Sequence, residues 1–249
     1  MADFDNRIIR GAPATGIQSM DAGLRAYMLR VYNYMLAGLG LTGAVAWAVA
    51  NTPVQQYFFV QQIVNGQYRL GLTILGMVAI FAPLGLVLWL SMGINRLSVT
   101  AARAMFLVYA ASIGISVATI LLMYTGQSVA QVFFITAATF GAMSLWGYTT
   151  KRDLTGMGHF MMMGLIGIII AMVVNMFMHS SMIQFLVSII GVIVFTGLTA
   201  YDTQSIKESY SINDDGTVAG KKAIMGALRL YLDFINLFFM LMRLMGNRR

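Results

Sequence analysis

Long apolar runs follow one another along this chain from about residue 31 to the C-terminus. A helix that crosses about 30 Å of hydrocarbon at about 1.5 Å per residue needs about 20 mostly apolar residues. Polar, helix-breaking runs such as Asn51-Thr52-Pro53 and Asn65-Gly66-Gln67 separate the apolar ones. The pattern predicts six clear membrane-spanning helices, approximately over residues 31–50, 71–90, 104–124, 129–148, 161–178 and 182–199.

A seventh segment, about residues 223–245, is as long as the others but only semi-hydrophobic, because it carries Arg229, Asp233, Asn236 and Arg243. A closed β-barrel is the other structure that satisfies every backbone group in lipid, but its strands alternate polar and apolar residues over about ten positions. The runs here are continuous. The sequence therefore predicts an all-α polytopic membrane protein, a seven-transmembrane helical bundle whose last helix is semi-hydrophobic.

The composition agrees with a membrane protein, with 59% hydrophobic residues, 10% charged residues and a mean hydropathy of +0.76. Soluble domains have about 45–50% apolar and about 25% charged residues. No long polar block divides the apolar runs, so we expect one transmembrane domain over residues 28–249, after a cytoplasmic N-terminal tail over residues 1–27. The tail lacks the apolar core of a cleavable signal peptide, so we expect the first apolar run to stay in the mature protein.

Lysine and arginine residues concentrate before the first helix and in alternate connections. They are Arg7, Arg10, Arg25 and Arg30 at the start, Arg96 and Arg103 in the second connection, Lys151 and Arg152 in the fourth, and Lys207, Lys221 and Lys222 in the sixth. Cytoplasmic loops carry an excess of these residues, which predicts a cytoplasmic N-terminus. Arg243, Arg248 and Arg249 conflict with a full seventh crossing. Either the last segment re-enters the membrane, or the earlier helices override these three charges.

Several functional classes have no support in the sequence. The net charge of +7 is scattered at segment ends, so we expect no nucleic-acid partner. The absence of cysteine excludes disulfides and thiolate catalysis. No nucleophile-elbow, zinc-protease or phosphate-loop motif is present, so we expect neither an enzyme nor a resident cofactor. His159, His179 and the run Met161-Met162-Met163 lack the spacing of metal ligands.

Two acidic residues stand apart from the other seven of the nine, which lie in the tail or in polar connections. Asp202 closes an apolar helix, and Asp233 lies inside the last one. An ionisable group at membrane depth costs about 2.5–3.5 kcal/mol or more, and such groups usually face a cavity, a partner or a pathway. Two alternatives remain open: Asp202 is a membrane-surface carboxylate near Lys207, and Asp233 pairs with Arg229, four residues earlier.

If the last two helices pack side by side, these carboxylates share one buried site. Two carboxylates in hydrogen-bonding reach can hold a single proton between them near neutral pH, which would make the pair respond to pH. Once deprotonated, the pair offers oxygen ligands to Ca²⁺, although calcium prefers about six to eight oxygens. We therefore predict transient calcium contact at Asp202 and Asp233, with calcium ions and protons as the transported species.

Three separated motifs resemble the signature of the Bax inhibitor-1 family, the transmembrane Bax inhibitor motif proteins. They are the run from Gly197 to Gln204 (GLTAYDTQ), the run from Leu230 to Phe238 (LYLDFINLF) and the run from Gly147 to Leu154 (GYTTKRDL). The resemblance covers about residues 25–249 and fits a bacterial member. It implies a bundle in which six helices surround a central one, the semi-hydrophobic last helix.

The resemblance also implies a role for each charged candidate. In the family, a hydrogen-bonded carboxylate pair gates a pH-sensitive calcium leak, and an arginine from the second helix region latches the closed state. Asp202 and Asp233 match the pair by motif. Arg96 is the best match for the latch by its place after the second helix, and Arg103 is its rival. The alternative for Arg96 is an ordinary cytoplasmic loop residue.

The sequence leaves three functional hypotheses. The first is the pH-gated calcium leak. The second is a membrane-embedded modulator of a membrane protease or of a stress response, which would dock a membrane protein partner through the tail before Asp21. The third is a cation/proton exchanger built on the same residues. In each case the lipid bilayer is the surrounding partner, and we expect the bacterial plasma (inner) membrane.

Overall fold

The computed structural model describes residues 14–64 and 67–248. The elements are α1 (Ala14–Asn51), α2 (Gln55–Phe58), β1 (Phe59–Val64), β2 (Gln67–Leu72), α3 (Ile74–Gly93), α4 (Val99–Met123), α5 (Gly126–Thr149), α6 (Thr155–Met178), α7 (Ser181–Glu208) and α8 (Gly216–Met245). Seven of these helices, α1 and α3 to α8, are long and apolar enough to cross a membrane. The predicted seven-helix, all-α membrane fold is confirmed.

The first helix begins earlier than the apolar pattern alone predicts. α1 begins at Ala14, so the second half of the predicted tail over residues 1–27 is helical. Residues 1–13, which hold most of the proposed docking segment, lie outside the described part of the chain. The N-terminal docking hypothesis therefore stays a prediction.

A β-hairpin between the first two membrane helices was missed by the pattern analysis. Strands β1 and β2 pair antiparallel, with Phe59 opposite Leu72 and Val64 opposite Gln67. The second membrane helix, α3, begins at Ile74, three residues after its approximate predicted start at Gly71. A signal was present in the sequence, since Asn65-Gly66 directly follows a run rich in aromatic and β-branched residues, and Asn-Gly is the strongest short-range hairpin turn.

The semi-hydrophobic last helix lies at the centre of the bundle. α8 packs mainly against α1, α4, α5 and α7, while α3 packs on α4 and α6 packs on α7. In the membrane-spanning window, 72% of α8 is buried but only 6% of α6. The reason is physical: polar and ionisable groups are costly in hydrocarbon, so the helix that carries them is surrounded by protein, while the apolar α6 faces lipid.

The two ends of the bundle are distinct. At one end, the basic end, lie the connections 93–99, 149–155 and 208–216, and the Lys221 ammonium donates a 3.0 Å hydrogen bond to the Asn95 carbonyl. At the other, the C-terminal end, the Thr125 N–H donates to the Asn247 carbonyl at 3.1 Å and the Asn247 N–H donates to the Ser128 hydroxyl at 2.9 Å. The last segment therefore crosses the whole bundle, and the re-entrant alternative is wrong.

The orientation of these ends can be tested because the chain has no cysteine. We expect Met245→Cys, at an exposed position of the C-terminal end, to react with a membrane-impermeant maleimide added to intact cells. Arg96→Cys, exposed at the basic end, should react only after permeabilisation, because the excess of basic residues predicts that this end lies in the cytoplasm. The reverse labelling pattern would contradict this orientation.

Candidate functional site

The last two helices bring Asp202 and Asp233 together. α7 and α8 pack along their length, and each contributes one carboxylate to their interface. The two carboxyl groups lie within hydrogen-bonding reach of each other. Asp233 is only 4% exposed, whereas Asp202 is half-buried. The pair therefore has a closed side at Asp233 and a side open to its surroundings at Asp202.

The buried side of this pair has an unsatisfied oxygen. Asp233 Oδ2 has no hydrogen-bond partner among the residues that the structure describes. Within the same residues, the ion pair formed at or below 4.0 Å is Lys222 with Asp214, at 2.6 Å, so neither carboxylate of the pair is neutralised by a direct basic partner. Two carboxylates in contact inside a bundle need a shared proton or a cation. The arrangement is chemically suited to exchange one for the other.

Arg229 is the basic residue whose charge reaches the pair. It is exposed one helical turn from Asp233 on α8, and its guanidinium is close enough to act electrostatically on both carboxylates. It does not approach either of them to 4.0 Å in the described structure. The described part of the structure therefore shows no direct ion pair between Asp233 and Arg229, which was the alternative role for Asp233.

The other basic candidates have different partners. The Arg103 guanidinium donates to the Tyr34 hydroxyl at 2.7 Å and lies 5.1 Å from the centre of its ring. Arg96 is exposed in the connection between α3 and α4. The Lys207 ammonium donates to the Tyr148 carbonyl at 2.8 Å, away from Asp202. The structure does not bring Arg96 or Arg103 to the aspartates, and the latch role of either stays a prediction.

Buried hydroxyl groups, which the sequence analysis missed, set the rotation of α7. The Tyr32 and Ser144 hydroxyls hydrogen-bond at 2.6 Å, and Ser144 in turn hydrogen-bonds Thr203 at 3.0 Å, which links α1, α5 and α7. Successive helix positions are about 100° apart. Thr203 is directed at α5, and the preceding Asp202 is directed toward Asp233 on α8. Isolated serines and threonines give no sequence signal for such a chain, because most of them serve only local backbone bonds.

Two of the motifs behind the family resemblance touch in the fold. Gln204 on α7 accepts a hydrogen bond from the Leu154 N–H at 2.8 Å and donates one to the Arg152 carbonyl at 2.8 Å. The connection between α5 and α6 is thereby tied to the helix that carries Asp202. In that connection, Asp153 is exposed, and hydrogen bonds from Thr155 hold the pKa of its carboxyl below the ordinary value. Asp153 is thus an ionised surface carboxylate.

Neither histidine joins the pair. His159 lies near the start of α6 and His179 just after its end, about 30 Å apart at 1.5 Å per residue. Within the described ranges, no three His, Cys, Asp or Glu side chains come together as a metal site. Among the described residues, the aspartate pair is an acidic site that helix packing creates inside the bundle.

The chain is similar in sequence to a known family and to several known proteins. The family model for the inhibitor of apoptosis-promoting Bax1 matches residues 24–249. An uncharacterized protein of Rickettsia prowazekii (strain Madrid E) is 48% identical over 93% of this chain and 94% of its own length. The inner membrane protein YbhL of Escherichia coli (strain K12) is 46% identical over 92% of this chain and 94% of its own. A protein of Caulobacter vibrioides is 43% identical over the full length of both chains.

Proposed function

Since the chain belongs to the Bax inhibitor-1 family of integral membrane proteins, we propose that it is a pH-sensitive calcium leak channel gated by Asp202 and Asp233. The observation that carries the proposal is the Asp233 carboxylate, buried at 4% exposure, in hydrogen-bonding reach of Asp202 and with one oxygen unpartnered among the described residues. Because ionisable groups at membrane depth are costly, a buried pair of carboxylates is expected to have a function.

Charge repulsion supplies the gating force. With one proton between them, the two carboxyl groups share a hydrogen bond that holds α7 against α8. Without that proton, two unit charges about 4 Å apart repel by about 4 kcal/mol at an effective dielectric constant of about 20. Since about 1.4 kcal/mol changes an equilibrium tenfold, this is enough to shift a closed-to-open equilibrium by as much as about a thousandfold. Deprotonation therefore favours separation of the two helices.

The cation that enters is held only briefly. Two carboxylates offer at most four oxygens, fewer than the about six to eight that Ca²⁺ prefers. Water must complete the coordination, so the site favours passage over storage. Arg229, near both carboxylates, further weakens a resident cation by charge repulsion. A leak down the calcium gradient fits this chemistry.

The proposed location is the bacterial inner membrane, with the basic end in the cytoplasm. This follows the relative YbhL, an inner membrane protein, and the excess of basic residues at that end.

The test is calcium entry into dye-loaded proteoliposomes that contain the purified full-length chain, measured across a pH series. We expect entry to increase as the pH rises through the range in which the pair loses its shared proton. Empty liposomes are the control, and an imposed proton gradient distinguishes exchange, which it would drive, from a passive leak. Calcium entry no greater than in empty liposomes at every pH would contradict the proposal and favour the protein-partner hypothesis.

A further inference from the structure

A second polar site lies at the C-terminal end of the bundle, far from the aspartates. A cavity of about 390 Å³ opens between the end of α6, the start of α7 and the last turn of α8. Its polar lining comes from Asn175, His179, Ser180, Ser181, Gln184 and Arg243. Arg243 lies ten residues beyond Asp233, about 15 Å along α8 at 1.5 Å per residue. The cavity is therefore separate from the proposed gate.

The polar lining is rich in hydrogen-bond donors and contains no carboxylate. Arg243 presents up to five N–H donors and a permanent charge. Across the described ranges, no acidic group lies within 4.0 Å of that charge. Asn175 accepts a 2.9 Å hydrogen bond from the Ser180 N–H through Oδ1, which leaves its NH₂ group available for donation. A guanidinium beside amide and hydroxyl donors fits an oxyanion, and its planar fork suits phosphate in particular.

The rest of the cavity lining is apolar and adjoins the lipid-facing surface. It consists of Met172 and Met176 on α6 and Val187 on α7, one helical turn or less from the polar Asn175 and Gln184. The neighbouring Val173 and Phe177 are exposed on α6, the helix that is least buried in protein. A phospholipid has a charged headgroup and an apolar acyl chain. The hydrogen-bond donors of the cavity match the headgroup, and the apolar, lipid-facing residues match the acyl chain.

We propose that the cavity at Arg243 binds a phosphate group, supplied by the headgroup of an anionic phospholipid whose acyl chain lies along Met172 and Met176. Arg243 forms charge-assisted bonds to the phosphate oxygens, and Asn175 and Gln184 add neutral ones. Such an anion would also compensate the charge of Arg243, which has no acidic partner among the described residues and lies at the end of the bundle where the positive-inside rule disfavours arginine. The inference is independent of the calcium leak, because it uses none of its residues.

The experiment is native mass spectrometry of the purified full-length chain with added phosphatidylglycerol. We expect one retained lipid on the native chain and a loss of its occupancy of about tenfold or more in Arg243→Gln, the size expected for losing charge-assisted bonds. The matched control is Arg248→Gln, at the same end of the bundle, whose guanidinium lies 5.9 Å from the Tyr124 ring centre and outside the cavity. This control should retain lipid like the native chain.

A second arm separates the two sources of phosphate. Inorganic phosphate at millimolar concentration should leave the bound lipid in place. If instead inorganic phosphate alone raises the melting temperature of the native chain but not of Arg243→Gln, the cavity binds free phosphate and the lipid assignment is wrong. Equal melting temperatures of both variants without ligand show that the substitutions leave the fold intact. The proposal is overturned if neither phosphate source binds, or if Arg248→Gln loses lipid as strongly as Arg243→Gln.

Discussion

Replacing Asp233 with asparagine is expected to remove the rise of calcium entry with pH, lowering entry at the alkaline end of the series by about tenfold or more. Asparagine has the shape of aspartate but carries no charge, so the pair can never hold two negative charges. The proposed opening force, a charge repulsion of about 4 kcal/mol, would then be absent. The measurement is calcium entry into dye-loaded proteoliposomes at each pH, at equal protein content.

Asp202→Asn should change the pH profile in the same direction, because either substitution leaves the pair with a single ionisable group. The control is Asp153→Asn, an exposed carboxylate in the connection between α5 and α6 that should keep the native profile. Gel filtration of each variant checks its fold. The gating role of the pair is excluded if both aspartate variants retain the native pH dependence.

Gly147→Ala on α5 is expected to have the second large effect, a loss of thermal stability. A methyl group at this position would overlap the backbone carbonyl of Ala200 on α7, so the two helices would have to move apart. Overpacking of this kind costs about 1–3 kcal/mol. For a chain of this size, about 1 kcal/mol corresponds to about 2–4 °C. We expect the melting temperature in detergent to fall, within the range of about 2–12 °C that these two magnitudes give.

The matched control is Gly141→Ala on the same helix, where an added methyl group meets nothing within 4 Å. Alanine also favours a helix over glycine by about 1 kcal/mol, so this variant should melt at or above the native temperature. Because Ser144 and Thr203 bridge the same two helices at 3.0 Å, Gly147→Ala should also weaken that bond. Equal melting temperatures for the two variants would show that the close approach at Ala200 is unimportant.

The fold class was predictable because membrane crossing is a local property of the sequence. Each spanning helix needs about 20 apolar residues in a row, and the seven runs meet that need without reference to their neighbours. The central position of α8 was predicted only from the family resemblance, and it agrees with the cost of placing polar groups such as Asp233 in lipid. The hairpin of strands Phe59–Val64 and Gln67–Leu72 was not predicted, because strands of six residues are too short to form an apolar run of membrane-spanning length.

The candidate site was predictable only as a pair of residue types. Subtracting the acidic residues in polar connections left Asp202 and Asp233, and the cost of intramembrane charge marked them as functional candidates. The partners of the basic residues were not predictable. Arg103 contacts Tyr34, 69 positions away in the chain, and Lys207 contacts Tyr148, 59 positions away. Such contacts depend on helix rotation, which the apolar composition of a membrane helix leaves undetermined.

The sequence by itself determined which segments enter the membrane and which acidic groups enter with them, because both follow from the free energy of transfer of individual side chains into lipid. Only the tertiary structure decided that Asp202 meets Asp233, that Asp233 has an unpartnered oxygen among the described residues, and that α8 crosses the whole bundle to bring Arg243 beside α6 and α7. These contacts depend on how the helices pack and on the rotation of each helix about its axis. Two features contribute to that rotation: the close approach of Gly147 to Ala200 and the hydrogen bonds of the Ser144 hydroxyl.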